Sequence, residues 1–472
     1  HFIHTSMLNA LISVPIVIWS LEAAWARGRF RPIAPGALAL ASQVFAGHLQ
    51  DALLTSGLAA TYALAWCLTE HGWSGKRFIA MSTSLMIGLG VLLSAVQWIP
   101  SKELLDRSPR AGGLTWDQLT YGSWHPELLP TLVVREAYGT RARDTDWMDG
   151  FYPYHEMNVS LGVLTLGLAL LGASATRDRW VVAWLLTASA GCILMLGKFT
   201  MLMDYWHQIP VLGSARIPVR FHLYFAVASA ALAGQGVDRI ARGNPFRPRG
   251  PIALTLGLIV LCLPILAWVY WPVWTDSARW SSPYHQTRFR WLGEELTSAA
   301  LRVAGLVGAG IFGLVLGSRA RDPRMRGAIA SLFPLLILLD LLASHRNDVP
   351  TVSPSYWTRP PQSAVSLSLD PSVIRVWGLP QRSAGEPGYA SKTLDFLTVR
   401  DTLAWSLAPV FGLRSAGGET PIIPLRRKMF TDWAHNVQHG FALESVTDVL
   451  SANRRPDWGR LSPARVEGAA FL

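Results

Sequence analysis

Charge is scarce in this 472-residue chain: Asp, Glu, Lys and Arg together make up 15% of it, where about a quarter is usual for a soluble protein. Acids are scarcer than bases, 31 against 42, and the formal net charge of +11 is carried almost wholly by arginine. Cysteine is nearly absent. Cys67, Cys192 and Cys262 all fall inside apolar blocks, where they read as small buried hydrophobes rather than as a disulfide framework or a metal site. The sequence contains no Gly-rich phosphate loop of the P-loop type, which disfavours ATP-driven transport, and neither an HExxH helix nor a GxSxG elbow. No basic region precedes the first apolar block, so no signal peptide is read.

Apolar residues, by contrast, make up 50% of the chain, and they come in blocks of about 20, the length that crosses a bilayer of roughly 30 Å at 1.5 Å per residue. Spans read at 5–24, 33–47, 51–69, 78–98, 158–175, 180–197, 219–236, 252–272, 296–317 and 327–343. Each must be helical, because a lone strand leaves its backbone unsatisfied in lipid. Trp73, Trp98, Trp180 and Trp271 mark block ends, as indoles do in the headgroup layer. Basic residues follow every odd-numbered span: Arg27, Arg29 and Arg31; Lys76 and Arg77; Arg177 and Arg179; Arg239, Arg242, Arg247 and Arg249; Arg319, Arg321, Arg324 and Arg326. The positive-inside rule places those loops in the cytoplasm, and this placement explains the positive charge better than a nucleic-acid partner.

The expected fold is therefore an all-α polytopic transmembrane bundle of about ten helices over 1–343, with a large outer loop at 99–157. A soluble α/β extracytoplasmic domain is expected over 344–472, where apolar blocks stop and short β-prone runs such as Val373–Trp377 appear. The positive-inside pattern places this C-terminal domain on the side away from the cytoplasm.

Polar residues near the outer face carry the candidate chemistry. In Gly47-His48-Leu49-Gln50, between two spans, His48 and Gln50 sit at a depth where polar groups are costly unless used; a hairpin whose polar groups bond each other is the alternative. In Arg216-Ile217-Pro218-Val219-Arg220, two arginines four apart bracket a helix-starting proline and suit a phosphate, or else pair with loop acids or snorkel to headgroups. Glu103, Asp106 and Arg110 could serve a sugar or phosphate site, and so could Asp144, Asp146, Asp149, His155 and Glu156. Solvated loop charges are the plainer reading of both groups.

These stretches, taken in order, resemble the YfhO-type family of bacterial membrane proteins, which look like members of the GT-C glycosyltransferase superfamily. The resemblance runs through Gly47–Gln50, through Pro100–Arg110 with Glu103 and Ser108-x-Arg110, and through Ile209-Pro210 followed by Arg216-x-Pro218-x-Arg220. It continues through Leu232-Ala233-Gly234-Gln235-Gly236-Val237-Asp238 and the passage from Asp340 to Arg375. It implies transfer of a sugar from a polyprenyl-phosphate donor to a cell-envelope glycan acceptor at the outer face. Arg216 and Arg220 would hold the lipid phosphate, and His48, Gln50 and Arg110 would contact substrate. GT-C enzymes carry their key acid in the first outer loop, and no counterpart is present. The chain is therefore expected to lack upstream helices, which leaves its activity as given open, and Glu103 and Asp149 are the remaining acids. No cofactor is indicated, and a divalent cation stays open. The rival functions are a transporter or flippase of lipid-linked precursors and a non-catalytic envelope assembly protein.

Overall fold

The computed structural model describes residues 5–108, 111, 113–140, 145, 154–175, 178–208, 216–243, 262–267, 270–271, 283–345, 354–369, 376–378, 413, 448–450 and 464–465. Two units divide the chain: His1–Pro100 with Gly113–Arg346, and Ser101–Gly112 with Asn347–Leu472.

The first unit is helical. α1 (Thr5–Leu11) and α2 (Val14–Arg27) are separated at Ile12–Ser13. Pro15 then falls in the first turn of α2, where its missing N–H costs nothing. α2 stops at Gly28, whose left-handed backbone returns its N–H to the Ala24 and Trp25 carbonyls. α3 (Ile33–Phe45), α4 (Leu49–Thr69), α5 (Trp73–Leu93) and α6 (Ala95–Asp106) follow, and the boundary between the units falls inside α6. Then come α7 (Trp116–Thr120), opened by a Thr115–Gln118 capping box, and a 3-10 turn at Pro126–Leu132. α8 (Tyr154–Met157), α9 (Val163–Ala173), α10 (Arg179–Met195) and α11 (Leu202–His207) lead to a 3-10 turn at Pro218–Phe221. That turn runs directly into α12 (His222–Arg242), followed by α13 (Pro283–Arg319) and α14 (Pro323–His345).

Among the described residues, five helical stretches are long and apolar enough to cross a membrane: Met7–Arg27, Leu49–Thr69, Trp73–Leu93, Arg290–Arg319 and Pro323–His345. Leu332, Leu335, Leu338, Leu339 and Leu342 of α14 are exposed, as side chains facing lipid would be. The chain is thus mostly helical, with the character of a multi-pass membrane protein. The count of ten is not carried by these helices. α3, α9 and α10 are apolar but shorter; the 13 residues of α3 reach only about 20 Å against a core of roughly 30 Å. α12 has the length but carries Asp238, Arg239 and Arg242 in its last turns. Most of 252–272 lies outside the described residues.

Backbone contact holds α9 against α12. A Cβ at Gly172 would lie 1.9 Å from the Leu232 carbonyl oxygen, and one at Gly236 would lie 2.3 Å from that of Leu168. Lipid supplies no hydrophobic drive between helices, so close packing through small residues has to supply the attraction. Elsewhere a polar contact joins three helices. Glu22 of α2 accepts from the Tyr62 hydroxyl of α4 (2.6 Å) and from the Trp180 indole of α10 (2.8 Å). Trp180, expected as a membrane-interface anchor, is therefore part of an internal contact.

Glu70 organises the turn between α4 and α5. One oxygen accepts the His71 and Gly72 N–H groups at 3.0 Å each, and the other accepts from Arg179 at 2.9 Å. The Gly72 N–H and the Arg179 charge hold this carboxyl below the usual glutamate range.

In the second unit the described elements are α15 (Ser355–Thr358), α16 (Gln362–Ser368) and three short strands, β1 (Val376–Gly378), β2 (Asp448–Leu450) and β3 (Ala464–Arg465). β1 pairs parallel with β2, and β2 antiparallel with β3. These fragments do not establish the α/β domain expected over 344–472, most of which lies outside the described residues.

Candidate functional site

The polar stretches at 47–50 and 216–220, far apart in sequence, meet in the first unit. Gly47 breaks the chain between α3 and α4 with a left-handed φ of 86°, and His48 becomes the N-cap of α4. Its side chain makes no capping bond. The ring turns instead toward the first turn of its own helix, where Nδ1 lies 3.1 Å from Oδ2 of Asp51. The contact is oblique and leaves both atoms short of a full hydrogen bond. The Asp51 side chain is 2% exposed and that of His48 21%.

Gln50 connects this turn to the second stretch, since its amide donates to the Arg216 carbonyl and its oxygen accepts from Arg220 Nη1 at 2.9 Å. Arg220 donates through Nε and Nη2 to the two carboxylate oxygens of Glu156 in α8, at 2.8 and 2.7 Å. Both side chains are nearly buried, at 10% and 7% exposure. The two-pronged geometry matches a guanidinium fork to a planar carboxylate and fixes both groups.

Local backbone strain positions the arginines. Ile217 is the only non-glycine residue with positive φ among the described residues, at 67°, a costly conformation for a β-branched side chain. It is buried against Gly122, where a Cβ would come within 2.8 Å of the Ile217 Cγ2. The Val219 N–H donates to the Gly122 carbonyl at 3.0 Å. At the start of α12, His222 donates from Nδ1 to the Val219 carbonyl at 3.0 Å. Arg220 is thus turned inward to Glu156, whereas Arg216 is a half-buried residue whose guanidinium makes no hydrogen bond or ion pair to described residues.

A second polar group lies along the chain from Glu156. Asn158 donates to the Arg135 carbonyl at 2.7 Å. Arg302 of α13 donates to both oxygens of Glu136 (3.1 and 2.7 Å) and approaches Asp340 of α14 at 3.1 Å. Glu295 accepts from the hydroxyls of Thr140 (2.7 Å) and Thr145.

The structure therefore brings together His48, Gln50, Arg216 and Arg220, and adds Asp51, Glu156 and His222. Asp51 was hidden because it reads as the first residue of an apolar span; its signal was the three-residue spacing from His48 at a helix start. Glu156 stands in a group of loop acids for which a sugar or phosphate site and solvated charge are both open from sequence. The Glu103 side chain is 62% exposed and pairs with Arg107 one turn on, at 2.7 Å. Arg110 and Asp149 lie outside the described residues. Among the described residues, no group of three or more His, Cys, Asp or Glu is placed to hold a metal. Compared with protein families, curated proteins and solved structures, the chain matches none.

Proposed function

We propose that this chain is a GT-C-type glycosyltransferase of the YfhO kind. In this reading it transfers a sugar from a polyprenyl-phosphate donor to a cell-envelope acceptor at the outer face of a bacterial cytoplasmic membrane. The proposal includes the ten-span topology and a C-terminal extracytoplasmic domain. One observation carries it. Arg216 is the cation in the cluster whose guanidinium has no partner among the described residues, and it stands beside a frame in which Arg220 bonds both Glu156 and Gln50. A paired cation is already neutralised, whereas one left unpaired can meet a departing phosphate. The two arginines thus take different roles, Arg216 as the phosphate contact and Arg220 as its support.

The test is binding of polyprenyl monophosphate to the purified full chain in lipid nanodiscs. Arg216→Gln is expected to weaken binding by about tenfold or more, the cost of one charge-assisted hydrogen bond of 1.5–3 kcal/mol, with thermal stability unchanged. Unchanged affinity would remove the phosphate role. Binding without sugar transfer would favour the alternative, a carrier of lipid-linked precursors.

A further inference from the structure

We infer that His48 and Asp51 form a proton-accepting dyad in this same site, with His48 Nε2 as the general base for the acceptor hydroxyl and Asp51 as the residue that positions the ring. The inference rests on the sugar-transfer reading above.

Attack by a hydroxyl on a sugar carbon requires a group to take the hydroxyl proton. Glu156 has both oxygens committed to Arg220. The Asp51 side chain is 2% exposed, too deep to meet a substrate hydroxyl. His48 is open enough, and its Nε2 has no partner among the described residues. An N-cap side chain ordinarily accepts an N–H of the first helical turn, yet His48 leaves that role and turns Nδ1 to Asp51. A carboxylate at Nδ1 keeps the proton there, presents the Nε2 lone pair, and stabilises the imidazolium once it forms. Besides Asp51 on its own helix, the charged and titratable groups gathered here are Arg216, Arg220 and His222 from the 216–222 segment and Glu156 from α8.

In the reaction, the acceptor oxygen forms a bond to the anomeric carbon while its proton passes to His48 Nε2. The bond from that carbon to the phosphate oxygen breaks, and its electron pair leaves with the polyprenyl phosphate beside Arg216. His48 then returns the proton to water.

The experiment uses the full chain in nanodiscs and acylation of histidines by diethyl pyrocarbonate, read peptide by peptide. His71, an exposed residue between α4 and α5, serves as the internal reference. Polyprenyl monophosphate is expected to slow acylation of His48 severalfold and to leave His71 unchanged. Asp51→Asn is expected to slow His48 acylation while lipid-phosphate binding is kept. On a polyprenyl-phosphohexose that the native chain turns over, His48→Gln is expected to lower kcat by about 10²–10⁴-fold with lipid-phosphate affinity intact. The dyad is overturned if bound lipid phosphate leaves His48 acylation unchanged, or if kcat in His48→Gln stays close to native. The protection measurement on the native chain decides even if Asp51→Asn does not fold. Absence of any lipid-phosphate binding would instead defeat the reading of the site as a phosphate site.

Discussion

Removing one partner of the Arg220–Glu156 pair should destabilise the chain far more than removing both. Arg220→Met leaves the Glu156 carboxylate, 7% exposed, without the two N–H donors now at 2.7 and 2.8 Å. An uncompensated buried charge of this kind costs about 3–5 kcal/mol. Glu156→Leu removes the carboxylate that neutralises the Arg220 guanidinium and should cost a similar amount. The double variant removes both charges of the pair together; among the described bonds it loses the one from Arg220 Nη1 to Gln50, about 1 kcal/mol. The double-mutant cycle should therefore show a coupling of several kcal/mol. The assay is reversible unfolding in mixed detergent micelles at pH 7. Single variants that each cost under about 1 kcal/mol, or effects that add within about 0.5 kcal/mol, would refute the reasoning. The same physics separates the two arginines in any functional test. Loss of activity in an Arg220 variant mixes folding with chemistry, whereas Arg216→Gln isolates the ligand contact.

Three further outcomes are expected. Gly236→Leu should prevent native packing of α9 on α12, since even a Cβ there meets the Leu168 carbonyl at 2.3 Å; loss of the folded fraction in detergent checks this, and a native thermal midpoint would contradict it. Glu70→Gln should lower stability at pH 7, and the gap should close on acidification. A carboxyl held below its usual value contributes stability above the unfolded pKa of about 4.3, and that contribution is lost as pH falls through the folded value; a gap that is constant from pH 7 to pH 3 would contradict the assignment. With Cys67, Cys192 and Cys262 replaced by Ser, Leu450→Cys should react with an impermeant thiol reagent added outside intact cells and Pro245→Cys should not; swapped labelling would invert the proposed orientation.

The sequence by itself determined the helical, membrane-type character of the chain. Bilayer thickness sets a block length that composition alone reveals, and helices form where the blocks fall, as at Leu49–Thr69, Trp73–Leu93 and Pro323–His345. Residue type also drew attention to His48, Gln50, Arg216 and Arg220, because polar groups within apolar surroundings are costly unless used. Partnership was not legible. Nothing in the order of residues pairs Glu156 with Arg220 across 64 positions, joins Gln50 to the 216–220 turn, or distinguishes the arginine that is neutralised from the one that is not. Hydrophobic patterning reports burial, while ion pairs depend on the meeting of side chains from distant elements in three dimensions. Only the tertiary structure turned Asp51 from the edge of an apolar block into a buried carboxylate against His48.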